Sequence, residues 1–433
     1  MKKNRQLICD YMHYAALYTC DGARVKSNWY EQILGDDSIP VFEPDRLETV
    51  RALLRRIIAD KLAAKGIERV KIGVSSGMDS RGILSGLLDV LPASSIFAYT
   101  NGEPGNPDFE KARTYTEKVL DSHLFFEQSE GIYSIPQSLQ KIKARVPGTA
   151  WQLSGESQTK MPKEILQLNN FHGFLGDSIS GKRLKKNINM DWIEAVESFV
   201  SSNNVFKPSR LRAGMDVSFD WLPNDYDPFH IFPESPFLPS EKMLYYDQLD
   251  LFYRQEQRIR HGAKKFYRHE ILSAPSEIQP VLDRKRSEVL TVYDDVRWQK
   301  SFLLLTPDLR LGQKLLKQAW AFNFPHVFRD LTGEVQTQMV QGKSGLTTQD
   351  KIDLVAKTSS HTNWERQWAT NHSFRAMVRE LFVSLSSRNL IDWFDPIDVL
   401  NEIERNHEGM GREIFGICSV ELGIKAGHLP AEI

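Results

Sequence analysis

At 433 residues, 41% of them hydrophobic and 26% charged, the chain is long enough to bury a full core and to form two domains or one large domain with an appendage. A formal net charge of −1 excludes a bulk electrostatic attraction to nucleic acid or to an anionic membrane surface. No segment reaches the roughly 18 consecutive apolar residues that cross a bilayer, so a soluble globular protein is predicted, with neither nucleic acid nor membrane as partner.

The start, "MKKNRQLICDYMHYAALYTC", is positive, but Asp10, Tyr11 and His13 interrupt its apolar stretch and make it a poor signal peptide. Cys9, Cys20 and Cys418 have neither CxxC nor zinc-ligand spacing. Their odd number argues against a disulfide framework and points to a reducing, cytoplasmic setting. Residues 1–42 have no clear periodicity and run into the turn-like "LGDDSIPVFEP". Leu47, Val50, Leu53, Leu54, Ile57, Ile58 and Leu62 then follow helical spacing, with Asp45 expected as the N-cap and Gly66 as the stop. "RVKIGV" (69–74) predicts a strand, "DSRGILSGLLDVL" a helix, "SIFAYTN" (95–101) a strand and "DFEKARTYTEKVL" another helix. Strand and helix alternating in this way predict an α/β protein with a doubly wound parallel sheet.

In such sheets ligands bind beyond the carboxyl ends of the strands, where a helix N-terminus is a preformed anion site. The stretch "VSSGMDSRGIL" (74–84) falls at that place. Gly77 lets the backbone approach a phosphate, and Ser75, Ser76 and Ser80 offer hydroxyls to phosphate oxygens. Asp79 repels a phosphate unless a cation lies between them, which Mg²⁺ bridging Asp79 and the phosphates would resolve. Neither GxxxxGK[ST] nor GxGxxG is present. From these residues alone, an ordinary serine-rich turn with Asp79 as a helix cap remains the alternative.

"SSGMDS" resembles the SGGxDS pyrophosphate loop of the N-type ATP pyrophosphatases, and the surrounding sequence resembles the synthetase domain of asparagine synthetase. "GEPGNPDFEKARTYTEKVLDSHLFFE" (102–127) is similar to that family's GxPGSPD segment and the helix and strand after it. "GFLGDSISG" (173–181) is similar to GxGADExxGG, which makes Asp177 the second Mg²⁺ ligand. "EVLTVYDDVRW" (288–298) looks like the E-x-R-x-P-F-x-D box, with Glu288 and Asp295 at its acidic positions. "GQKLLKQAWAFNFP" (312–325) is similar to a helix ending in Leu-Pro, and "LIDWFDPIDVLNEIERNHEGMGREIFGICSVEL" to the closing helices. The resemblance covers 43–433, with an expanded segment at 184–280. It implies an adenine nucleotide α-hydrolase-like sheet with a largely helical C-terminal part. Tyr99 and Gly176 complete the nucleotide-binding set that it implies.

The departures are specific. Ser76 stands at the first loop glycine, Phe174 where relatives have glutamate or tyrosine, and Ser178 where they have glutamate. The lysine about eight residues after the Leu-Pro is absent, since position 333 is glycine; Lys343 is the candidate replacement. The family's glutaminase domain has its nucleophilic cysteine next to the initiator methionine, whereas here Lys2 follows Met1 and 74 residues precede the loop. Residues 1–42 are therefore expected to be a short N-terminal region without a glutaminase, and Cys9 and Cys20 to be buried apolar residues.

The resemblance implies an ATP- and Mg²⁺-dependent, AMP-forming amide ligase. It would adenylate a small-molecule or peptide carboxylate and transfer it to an amine or to ammonia, the latter free or from a separate partner. Glu288 is the candidate base, or else an ion-pair partner of a nearby arginine. Within the middle segment, "FDWLPNDYDPFHIFPESPFLP" is expected to form an extended cover or substrate loop. The basic run "GKRLKKN" (181–187) is either an anion-attracting patch or a solvated face. Two alternatives are another adenylating enzyme acting on a nucleobase or tRNA, and a scaffold that retains only ATP affinity.

Overall fold

The computed structural model describes residues 3–14, 33–102, 107–120, 123–127, 132–143, 161–182, 190–203, 289–328, 364–407 and 410–431, and the single positions 153, 184, 223, 225 and 226. In chain order, helix α1 (Lys3–Tyr14) is followed by α2 (Leu47–Ala63), strand β1 (Val70–Gly73), α3 (Met78–Leu88), β2 (Ile96–Gly102), α4 (Pro107–Thr116), β3 (His123–Glu127) and α5 (Ile135–Lys143). Next come α6 (Lys163–Leu166), β4 (Asn169–Phe171), α7 (Gly176–Ile179), α8 (Trp192–Asn203), β5 (Val289–Leu290), α9 (Val296–Leu303), α10 (Pro307–Arg310) and α11 (Lys314–Asn323). The C-terminal part is helical: α12 (Trp364–Thr370), α13 (His372–Ser387), α14 (Pro396–Arg405) and α15 (Gly411–Lys425).

The strands form one parallel sheet in the order β3-β2-β1-β4-β5. β1 pairs with β2 from Val70↔Ile96 to Gly73↔Tyr99 and with β4 from Val70↔Asn169 to Ile72↔Phe171. Chain order reverses direction across the sheet at β1, so the crevice beyond β1 and β4 is where such sheets bind ligands. Helices cover both faces, which is why β1 is buried along most of its length rather than alternating. Its one charged residue, Lys71, donates to the Ile165 and Leu166 carbonyls at 3.2 and 2.6 Å, satisfying the C-terminal end of α6.

Two apolar clusters organise the molecule. The first joins α2, α3, α9 and α11 to the sheet, with Trp298 and Trp320 stacked 6.0 Å apart in it. The second joins α1 and α5 to α12–α15, so both ends of the chain share one core. The segment before residue 43 is divided between them: Ile8, Tyr11 and Met12 belong to the second cluster and Phe42 to the first. Cys9 and Cys418 are buried; Cys20 lies outside the described residues.

The start of α2 differs from expectation. Arg46, not Asp45, occupies the N-cap position, and no side chain caps the helix. Thr49 holds the entry instead, its hydroxyl accepting from the Glu43 N–H at 2.9 Å. Gly66 does mark the stop, with φ of 59°. Among the described residues no helix is long and apolar enough to cross a membrane.

Candidate active site

Residues 74–77 leave β1 at its carboxyl end and turn into α3. The turn is knit by its own serines. The Ser75 N–H donates to Ser80 Oγ at 3.1 Å, the two hydroxyls lie 3.1 Å apart, and the Gly77 N–H donates to Ser75 Oγ at 3.2 Å. Ser80 is buried. Ser75 and Ser80 therefore shape the turn, while Ser76 makes no hydrogen bond among the described residues. From beneath, the Tyr115 hydroxyl of α4 donates to the Ser75 carbonyl. The Arg81 guanidinium lies 5.5 Å from the Tyr115 ring centroid and 4.7 Å from that of Phe328.

A second support runs through the sheet. Thr100 on β2 donates its hydroxyl to the Val74 carbonyl at 2.8 Å and contacts His123 Nε2 at 2.9 Å. The two ring nitrogens of His123 are thus flanked by hydroxyls, Nε2 by that of Thr100 and Nδ1 by that of Thr116. Burial holds this imidazole at about 4, well below its ordinary range.

Asp79 is not a cap. Gly77 is the N-cap of α3 and no side chain caps it. The Asp79 Oδ1 atom is buried and accepts no hydrogen bond. The carboxylate points instead at the β4–α7 turn, where Gly173 and Gly176 make room for it. A Cβ on Gly176 would stand 2.4 Å from Asp79 Cγ, and one on Gly173 would stand 3.0 Å from Asp79 Cβ. Leu175, between them, adopts φ of 78°, a costly left-handed conformation for a branched side chain. Asp177 follows in the first turn of α7. The turn thus brings the carboxylates of Asp79 and Asp177 together from sequence positions almost a hundred apart.

Burial, and then the neighbouring Asp177 charge, push the Asp79 carboxyl well above the usual carboxylate range, against the opposing pull of Lys182 and the Asp177 backbone N–H. Lys182 Nζ donates to Asp177 Oδ2 at 2.7 Å. The buried Tyr293, just after β5, donates its hydroxyl to the Asp79 carbonyl at 2.9 Å. Burial and the charges of Asp79 and Asp177 hold that phenol protonated.

Two carboxylates, one with an orphaned buried oxygen, suit a divalent cation that draws its remaining ligands from phosphates and water, as Mg²⁺ does. Among the described residues there is no group of three or more His, Cys, Asp or Glu able to hold a metal ion. Of the other candidates, Tyr99 lies over Gly73, whose added Cβ would meet its ring at 3.2 Å, and reaches across β1 to contact Asn170 Oδ1 on β4 at 3.2 Å. Phe174 packs against the first cluster, and Ser178 is buried. Asp295 is a helix cap for α9, accepting from the Arg297 N–H at 3.0 Å and paired with its guanidinium. Glu288, Lys343 and nearly all of "FDWLPNDYDPFHIFPESPFLP" lie outside the described residues.

Two contributors were not singled out from sequence, Tyr293 and Gly173. The box that carries Asp295 places Tyr293 at its phenylalanine position, and the added hydroxyl was the signal. Gly173 stands three residues before Gly176, and only the fold reveals that both face one carboxylate. In comparisons with protein-family models and with curated proteins, the chain matches neither a family model nor a curated protein.

Proposed function

We propose that this chain is an ATP-dependent, AMP-forming amide ligase of the asparagine synthetase type, built on a doubly wound, adenine nucleotide α-hydrolase-like sheet. The observation that carries the reading is the convergence of Asp79 and Asp177 beside the serine turn, at the carboxyl ends of β1 and β4 where the strand order reverses. In this reading the turn receives the pyrophosphate end of ATP, with Ser76 as the hydroxyl available to a phosphate oxygen. Asp79 and Asp177 would hold Mg²⁺, which when bound neutralises phosphate charge and stabilises the departing pyrophosphate. Tyr293, acting on the Asp79 carbonyl, and the two glycines fix the direction in which the Asp79 carboxylate points.

A substrate carboxylate oxygen would attack the α-phosphorus, and the bond from that phosphorus to the bridging oxygen would break, the electron pair leaving with pyrophosphate. An amine or ammonia would then attack the acyl carbon, expelling AMP and losing a proton to a base, for which Glu288 is the candidate. Phe174 and Ser178, where asparagine-forming relatives carry polar groups, favour a specialised small-molecule or peptide acid over aspartate.

The test is which bond of ATP breaks. Candidate acids and amines are incubated with ATP and Mg²⁺, with the acid labelled at its carboxylate oxygens. AMP, pyrophosphate and label in AMP are expected, with Asp177→Ala slowing turnover on the order of 10²-fold. Substrate-dependent ADP and orthophosphate would sink the adenylation mechanism.

A further inference from the structure

Lys182 is held twice by one residue. Its backbone N–H donates to the Asp177 carbonyl at 2.9 Å, and its ammonium donates to the Asp177 carboxylate at 2.7 Å. The return of the chain depends on Gly181, which adopts φ of 88° and lies so close to α10 that a Cβ would stand 2.5 Å from the Arg310 carbonyl oxygen. The Gly181 carbonyl also accepts from the Gly312 N–H at 3.2 Å. The backbone at Lys182 is therefore anchored, whereas its side chain is 57% exposed and sits on a flexible four-carbon stem. The same charge acts on Asp79. One exposed ammonium thus serves two carboxylates, of which Asp79 keeps a buried, unpartnered oxygen.

We propose that Lys182 is an exchangeable counter-ion of the Asp79 and Asp177 pair, displaced from Asp177 by the divalent cation and transferred to a phosphate oxygen of the incoming triphosphate. The inference rests on that pair being the metal-nucleotide site. An ammonium and a divalent cation on one carboxylate oxygen repel each other, so one must leave. A lysine with three donors and a long stem can move to an anion arriving beside it. A metal ion alone displaces the ammonium and offers it no new partner, whereas metal with triphosphate supplies both the replacement charge and the phosphate oxygen. Lys182 thereby makes the two ligands bind cooperatively.

The experiment titrates full-length protein with Mn²⁺ alone, read by electron paramagnetic resonance, and with a non-hydrolysable ATP analogue plus Mn²⁺, read by calorimetry, in wild type, Lys182→Met and Lys182→Arg. Removing the competing ammonium is expected to tighten Mn²⁺ alone by about threefold. Losing the phosphate contact is expected to weaken the analogue by about tenfold in Lys182→Met, with Lys182→Arg restoring most of it. If Lys182→Met matches wild type in both titrations, or weakens both equally, the exchange is wrong while the site stands. A wild type that binds neither Mn²⁺ nor the analogue overturns the site and the exchange together.

Discussion

The Asp79 carboxylate owes its position to two glycines. Gly173 and Gly176 leave the space its carboxylate occupies, and a methyl group on Gly176 would overlap that carboxylate outright, at 2.4 to 2.7 Å from its three atoms. Gly176→Ala is therefore expected to push Asp79 off the line to Asp177 and to weaken metal-nucleotide binding by about tenfold or more. Calorimetry paired with thermal melts checks this. Unchanged affinity with an intact fold would mean that the carboxylate is not held for a ligand. The serines divide in the same way: Ser75 and Ser80 spend their hydroxyls inside the turn, and Ser76 does not.

Among the elements, β3 does most for the site without touching it. His123 is neutral in the fold and couples Thr116 of α4 to Thr100 of β2, which in turn holds the Val74 carbonyl at the start of the serine turn. Its folded value of about 4 lies below the ordinary 6.5, so between these pH values the unfolded chain binds the proton that the native state refuses. Stability from this group is full above pH 6.5 and is lost as pH falls toward 4, by about 2 kcal/mol after allowance for partial exposure. The difference in unfolding free energy between wild type and His123→Gln, measured from pH 8 to pH 4, is expected to shrink by that amount. Parallel curves would show that the imidazole is not the titrating group.

On the scale of the whole molecule, the two cores have different tasks. The sheet cluster places the carboxylates, and the helical cluster ties α1 to α15 and so closes the two ends of the chain on each other. Ile8→Ala, at a fully buried position, is expected to cost about 2–5 kcal/mol from lost burial and the cavity left behind. Nucleotide affinity should be unchanged below the melting transition; a parallel loss in calorimetry would show that the cores are energetically coupled. The sequence by itself determined the parallel α/β order, because apolar runs and helical spacing are local and β1, α3 and β2 follow within one turn or loop of each other. It also singled out Asp79, as the one carboxylate in the serine turn, and Asp177 through the resemblance of "GFLGDSISG" to a family motif. The tertiary structure alone decided that Thr49 rather than Asp45 secures the entry to α2, since that depends on where the preceding chain returns. It alone revealed Tyr293 behind Asp79, the glycine pocket around the carboxylate and the lysine on Asp177. The first two join segments far apart in sequence and come into being only when the sheet sets one turn against another, and the third needs the return of the chain at Gly181.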